Sequence, residues 1–126
     1  MPRTSKQEAP VLVDEPVIEA RYVDLNGTTV GYENHKADID PGFLFQGLPD
    51  DRCQCHHWGT VVTGKVVFRY ADHDEEFVAG DSYVAGPGHL PLMFGGTELI
   101  EFTPTAELHQ TMAVIGANLE AAKARQ

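Results

Sequence analysis

Short runs of β-branched and aromatic residues, each ended by turn-forming residues, constrain the fold of this chain more than any other feature. The clearest runs are residues 58–62 and 66–70, which are joined through Gly64. Similar runs follow at residues 76–78, 82–85, 92–94 and 98–102, with glycine in most of the turns between them. Such residues favour pleated strands, whereas Gly favours turns. Regularly spaced short strands predict an all-β sandwich or barrel.

The two ends of the chain differ from this central region. Residues 1–10 are polar and predict a flexible N-terminal tail. Residues 11–104 predict the barrel, with a short strand at 28–32 and a short apolar strand at 42–45. Residues 105–126 predict a C-terminal α-helix, because apolar residues recur there at helical spacing: Leu108, Met112, Ile115 and Leu119.

The charge of the chain argues against several classes of partner. Asp and Glu number 19 against 9 Lys and Arg, which gives a formal net charge of -10. Such a surface repels phosphate backbones and anionic lipids, so neither nucleic acid nor membrane is an expected partner. The N-terminus lacks the apolar segment of a secretory signal, which favours a cytoplasmic location. Cysteines there stay reduced, so the two cysteines suggest metal binding or redox chemistry more than a structural disulfide.

The two cysteines belong to a pattern of alternating metal-binding residue types, Cys53, Cys55 and His57. In an extended segment, alternate side chains share one face, so these three would point the same way and Gln54 and His56 the other way. Thiolate and imidazole are ligands that zinc favours, and they also suit iron. The pattern therefore favours a metal site on a concave barrel wall. The alternative, in which the cysteines are small buried apolar residues, stays open.

Residues 64–89 resemble the core of the cupins, which are jelly-roll barrels that often hold a metal. The first cupin motif carries two histidines and a glutamate before a glycine. With Gly64 as that glycine, the glutamate position falls on His57 and the second histidine position falls on Cys53. The glycines of the second motif fall on Gly80 and Gly88. The resemblance implies a cupin-type double-stranded β-helix followed by the C-terminal helix.

The alternation of side chains, combined with the resemblance, suggests a ligand set for the metal, although the cupin ligand positions are not matched literally. The last histidine position of the second motif holds Pro91, and His89 lies two residues before it, on the same face of an extended chain. The expected ligands are therefore Cys53, Cys55, His57 and His89, for a divalent transition metal, with zinc first and iron as the alternative. A small-molecule ligand or substrate and a homodimer are further expectations from the resemblance.

Three functions remain open at this point. The first is a metal-dependent enzyme that acts on a small organic substrate as an oxygenase, isomerase, lyase or cyclase, since three protein ligands would leave a position open. The second is a non-catalytic module that binds a small molecule or a metal. The third is a barrel with a purely structural zinc, if all four residues bind one ion.

Several other residues receive simpler interpretations. Trp58 is expected to pack in the core. Glu98 and Glu101 have opposite parity on the last strand, so one of them should face the barrel interior, where it could serve as a base. The remaining histidines are expected to be solvated in loops or on the helix surface: His35, His73 and His109.

Overall fold

The structure, a computed structural model, describes residues 2–124 as two antiparallel β-sheets and one long helix. A short 3-10 helix, Pro49–Asp51, lies between the third and fourth strands. The regular elements in chain order are β1 (Val11–Glu15), β2 (Ile18–Leu25), β3 (Thr28–His35), β4 (His57–Thr63), β5 (Lys65–Arg69), β6 (Asp74–Val78), β7 (Ser82–Ala85), β8 (Leu90–Met93), β9 (Thr97–Pro104) and α1 (Thr105–Ala124).

The larger sheet has the order β1-β2-β3-β9-β4-β7, and the smaller sheet has the order β6-β5-β8. All of the pairings between these strands are antiparallel. The chain passes from one sheet to the other at the turn between β4 and β5, where Gly64 has a φ of 79°. The predicted all-β fold with a C-terminal helix is confirmed. No helix in the described part of the chain has the length and apolar character needed to cross a membrane.

The main core lies between the two sheets, because each strand turns alternate side chains inward. On β9, for example, every second residue from Thr97 to Thr103 is buried. The buried apolar residues of this core come from five strands and are Val61, Val66, Phe68, Tyr83, Ala85, Met93 and Leu99. Most inward positions of β9 are polar or small, so the core does not fill the whole space between the sheets.

A second, smaller apolar cluster lies beneath α1. It contains Phe45, Cys53 and Cys55, with Ile115 of the helix packed against it. The start of the helix is fixed to the turn between β2 and β3, because Thr105 N donates to Gly27 O at 2.9 Å. Helix α1 therefore covers one side of the barrel directly above the two cysteines.

Two expectations about apolar residues are wrong. Residues 42–45, predicted as a strand, form consecutive turns. Leu44 N donates to Pro41 O at 2.9 Å, and the side-chain amide of Asn118 on α1 donates to the carbonyl of Leu44. These groups are therefore not paired with a neighbouring strand. Trp58 was expected in the core but is 46% exposed. Strand β4 begins with His57 facing inward, so the next side chain must face outward.

The N-terminal residues contact the barrel. Ala9 is buried, Lys6 forms an ion pair with Glu98, and Arg21 donates to the carbonyl of Lys6 at 2.9 Å. The division of the chain into a tail, a barrel and a helix at residues 10 and 104 stays a prediction.

Candidate metal centre

Cys53, Cys55 and His57 lie together inside the barrel, with their sulfur and nitrogen ligand atoms all within 4.8 Å of one another. They do not form one continuous strand, as the alternation argument assumed. Cys53 makes an isolated bridge with His89, and β4 begins only at His57. The segment between them is extended enough to keep the predicted parity, because Cys55 is fully buried whereas His56 is exposed.

The imidazole of His57 is oriented by a neighbour on β9. Its Nδ1 is 2.7 Å from Thr103 Oγ1, whereas its Nε2 is 3.8 Å from Cys53 Sγ. A metal-binding histidine is commonly held in this way, with one ring nitrogen hydrogen-bonded and the other directed at the ion. Burial lowers the pKa of His57 to about 4, so the ring is neutral at pH 7 and its nitrogen lone pair is available to an ion.

The two thiols shift each other's pKa in opposite directions. A hydrogen bond from Cys53 lowers the pKa of Cys55, and that hydrogen bond, together with burial, raises the pKa of Cys53. Cys55 Sγ is also 3.3 Å from Thr111 Oγ1 on α1, which further favours its thiolate. A divalent cation that bound both sulfurs would compensate their negative charges and displace the thiol protons.

His89 lies beside this group but is not one of the three residues whose ligand atoms gather. Its ring centroid is 5.1 Å from that of His57. Its Nδ1 is 2.7 Å from the carbonyl of Gly86, and its Nε2 is buried with no hydrogen-bond partner in the part of the chain that the structure describes. Burial lowers the pKa of His89 to about 4, so the ring is neutral at pH 7. Because Nδ1 donates its proton to the carbonyl of Gly86, Nε2 carries none. A buried nitrogen without a partner is costly, and an ion would remove that cost.

A buried carboxyl group stands on the other side of His57. Glu101 Oε1 is 3.6 Å from His57 Nδ1, and the Tyr83 hydroxyl donates to Glu101 Oε2 at 2.5 Å. Burial, reinforced by the charge of Glu33, raises the pKa of Glu101 to about 8, so this carboxyl is mostly protonated at pH 7. The parity argument is confirmed here, because Glu101 faces inward and Glu98 pairs with Lys6 at the surface.

Three polar residues next to Glu101 were not identified from the sequence. Tyr22 donates to Glu33 Oε2 at 2.7 Å, and His35 Nε2 is 3.2 Å from Glu33 Oε1. These contacts lower the pKa of Glu33 even though burial opposes its ionisation. His35 was expected to be solvated and is 3% exposed. The error arose because the predicted strand ended at residue 32, whereas β3 continues to His35 and points Glu33 and His35 inward.

The cluster and the carboxyl groups line one cavity of about 840 Å³. Cys53, Cys55, His57 and Glu101 all line this cavity, and so does the inner face of α1, whose Thr111 Oγ1 lies 3.3 Å from Cys55 Sγ. Pockets of this volume accommodate small organic molecules. The arrangement combines an N- and S-donor group that suits zinc, a protonated carboxyl and space for a ligand.

Comparisons with known proteins identify the fold. No protein-family model matches the chain, and no curated protein sequence matches it. Among solved structures, KdgF from Halomonas is 14% identical, with a TM-score of 0.52 over 79% of this chain and 90% of that chain. A PAC13 variant from Streptomyces, solved with uridine, is 15% identical, with a TM-score of 0.55 over 82% of this chain and 81% of that one.

A third neighbour is named for the fold itself. An RmlC-like cupin from Shewanella frigidimarina is 12% identical, with a TM-score of 0.52 over 80% of this chain and 88% of that chain. The iron(II) form of HppE has a TM-score of 0.57 at 12% identity, over 82% of this chain and 60% of that one. At these identities the likeness shows the fold alone. The chain has the cupin fold. The predicted motif residues Cys53, Cys55 and His57 lie inside it as a cluster, and Trp58 follows them in the sequence.

Proposed function

We propose that this cupin-fold protein binds one divalent transition metal through Cys53, Cys55 and His57 and acts on a small organic molecule in the adjoining cavity. The observation that carries the proposal is the convergence of the three ligand atoms within 4.8 Å in a buried wall. Two thiolates and a neutral imidazole match zinc best, with iron as the alternative. The homodimer implied by the resemblance and the cytoplasmic location inferred from the N-terminus remain predictions.

The residues around the cluster suit chemistry without electron transfer. A zinc ion with three protein ligands would supply a Lewis acid at its open position. Glu101 lies beside His57, and its hydrogen bond with Tyr83 holds the carboxyl in place. A protonated carboxyl there can donate a hydrogen bond or a proton to a substrate oxygen, and its conjugate base can take a proton back. Isomerase, lyase or cyclase chemistry follows more readily from this set than oxygenase chemistry.

Two neighbours lend support to the proposal. One contains iron(II), and another was solved with uridine. Both show that the same fold can hold a transition metal or a small organic molecule, although the ligands in this chain are its own.

The first prediction concerns metal content. Protein purified without added metal, or reconstituted with zinc and then freed of excess ion, should hold about one metal ion per chain, because three ligand atoms already face one point. Elemental analysis by mass spectrometry gives the stoichiometry and the identity of the ion. Less than a tenth of an ion per chain (roughly the level of surface contamination) after reconstitution with both zinc and iron(II) would contradict the proposal.

A closed structural site is the second candidate, and the unpartnered Nε2 of His89 favours it. If His89 moved toward His57 when an ion bound, four protein ligands would fill a tetrahedral site and leave no position for a substrate. The ion would then contribute to folding more than to chemistry.

The second prediction separates these candidates. In His89→Phe, which keeps a ring in the same space, an open site should lose less than about tenfold in zinc affinity and the stripped protein should stay folded. A closed site should lose about 100-fold or more and should unfold on chelation. Zinc affinity from competition with a chromophoric chelator and the melting temperature of the stripped protein are the two measurements. His73→Phe, at an exposed histidine, is the matched control.

A further inference from the structure

The cavity beside the cluster is polar at one end and apolar almost everywhere else. Its polar end contains the cysteine-histidine cluster, Glu101, Glu33 and His35. The remaining lining is dominated by aliphatic and aromatic side chains contributed by the strands, the turn at residues 43–45 and helix α1. A ligand that fills this space needs a polar group at one end and a hydrocarbon body along the rest.

Helix α1 contributes the longest apolar wall. Its apolar residues that line the cavity are half-buried instead of fully buried, although Ile115 also packs against the cluster of Phe45, Cys53 and Cys55. These residues are Leu108, Met112, Ile115 and Leu119. Hydrocarbon surface left unpacked in this way gains free energy when an apolar ligand covers it.

The helix is held over the cavity at three points along its length. Near its start, Glu107 Oε1 accepts from the backbone N–H of His56 at 2.9 Å. Further along, Asn118 donates to the carbonyl of Leu44 at 2.7 Å, and near the end Lys123 donates to Glu15 at 3.0 Å. The wall is therefore fixed by polar contacts at its edges, and its apolar inner face is left for a ligand.

The apolar lining continues to the solvent at the cavity mouth. Leu12 is 63% exposed, Phe43 is 45% exposed and Val17 is 37% exposed, and all three line the cavity. The charged lining residues are mostly acidic: Asp14, Glu15, Glu33, Asp38, Asp40, Glu101 and Glu120, against Lys123, which is already paired with Glu15. Acidic groups at the mouth and at the inner end disfavour an anionic ligand.

We infer that the cavity binds an elongated, uncharged amphiphile, namely a hydrocarbon chain or terpene-like body that carries a single hydroxyl or carbonyl oxygen. The oxygen lies at the cluster and Glu101, and the hydrocarbon body lies along α1. Sugars and other polyhydroxyl compounds are disfavoured, because many of their hydroxyl groups would face the aliphatic and aromatic part of the lining, which offers no hydrogen bonds. The inference rests on the proposed function for the position of the oxygen, but its apolar part stands without a metal.

The test uses Nile red, an uncharged fluorophore that brightens in apolar surroundings, with the whole protein both metal-free and zinc-loaded. Decanol and decanal should displace Nile red from both forms, and glucose should displace it from neither. Decanoate should need about tenfold higher concentration on the metal-free protein, where no cation offsets the acidic groups. Displacement from the metal-free protein tests the apolar wall alone, so its failure is distinct from a failure to bind metal.

Two pairs of variants locate the binding site on the helix. Met112→Gln and Ile115→Gln should weaken decanol binding by about tenfold each, because an amide in an apolar wall must give up water. Ala113→Gln and Ala117→Gln place the same side chain on the exposed face and should change binding less than about twofold.

Three outcomes would overturn the inference. One is that Nile red does not bind, and another is that decanoate competes as well as decanol on the metal-free protein. The third is that light scattering shows a dimer that Met112→Gln dissociates, which would mean that a second copy of the chain covers this apolar surface. Circular dichroism of each variant confirms that the comparison is made between folded proteins.

Discussion

Replacing Gly64 with alanine is expected to destabilise the protein by about 3 kcal/mol or more, which lowers the melting temperature by roughly 10 °C. Gly64 has a φ of 79°, a conformation that costs any other residue backbone energy. An added Cβ would also meet Thr97 Oγ1 at 2.4 Å and Thr97 Cα at 2.7 Å. The second contact is with backbone, so rotating a side chain cannot relieve it.

The position of Gly64 explains why the strain cannot be absorbed locally. The turn carries the chain from the six-stranded to the three-stranded sheet, and it packs against the first residue of β9. Thr97 is fully buried and exchanges hydrogen bonds with Lys65, accepting from its N–H at 3.2 Å and donating to its carbonyl at 3.0 Å. Moving the turn away from Thr97 would break both hydrogen bonds and disturb β9, which is paired with β3 and β4.

Gly80 provides a matched control. It also has a left-handed backbone, with a φ of 95°, but nothing lies within 4 Å of where its Cβ would be. Gly80→Ala should therefore cost only the backbone term, about 1 kcal/mol. Urea denaturation followed by circular dichroism measures both variants. Equal losses of stability would mean that the close approach of Gly64 to Thr97 does not exist.

The same glycines show what the sequence could predict about the fold. Turn residues and short β-branched runs are local signals, and they placed the turn at Gly64 and the strands on either side of it correctly. The alternation of side chains is equally local. It brought Cys53, Cys55 and His57 to one side and Glu101 to the inside, even though the strand at the cysteines is irregular.

The errors concern properties that depend on distant parts of the chain. Residues 43–45 have the composition of a strand, but no neighbouring strand pairs with them. The side chain of Asn118 on α1 donates a hydrogen bond to their turn instead. Glu33 and His35 look like loop residues until β9 pairs with β3 along its whole length. Trp58 faces outward because neighbouring residues on a strand point to opposite faces and His57 occupies the inward-facing position.

Cobalt(II)-substituted protein is expected to show strong near-ultraviolet absorption from its two thiolates, and replacement of either cysteine by serine should reduce that absorption to about half. The double variant should lose it altogether. Zinc affinity should fall by about 100-fold or more in each single variant, because loss of a residue that merely supports a ligand already costs about 10–100-fold. Cys53 and Cys55 are both buried, so each serine must first be shown to leave the metal-free protein folded.

Thr111→Val is the control for this experiment, since Thr111 Oγ1 is 3.3 Å from Cys55 Sγ but supplies no thiolate. The valine variant should keep the full absorption and lose about tenfold in zinc affinity, because it removes only a hydrogen bond to a ligand. Serine variants that keep the wild-type absorption and affinity would show that the thiols do not bind the ion. The cysteines would then be small apolar residues of the cluster beneath α1, where Phe45 and Ile115 already surround them.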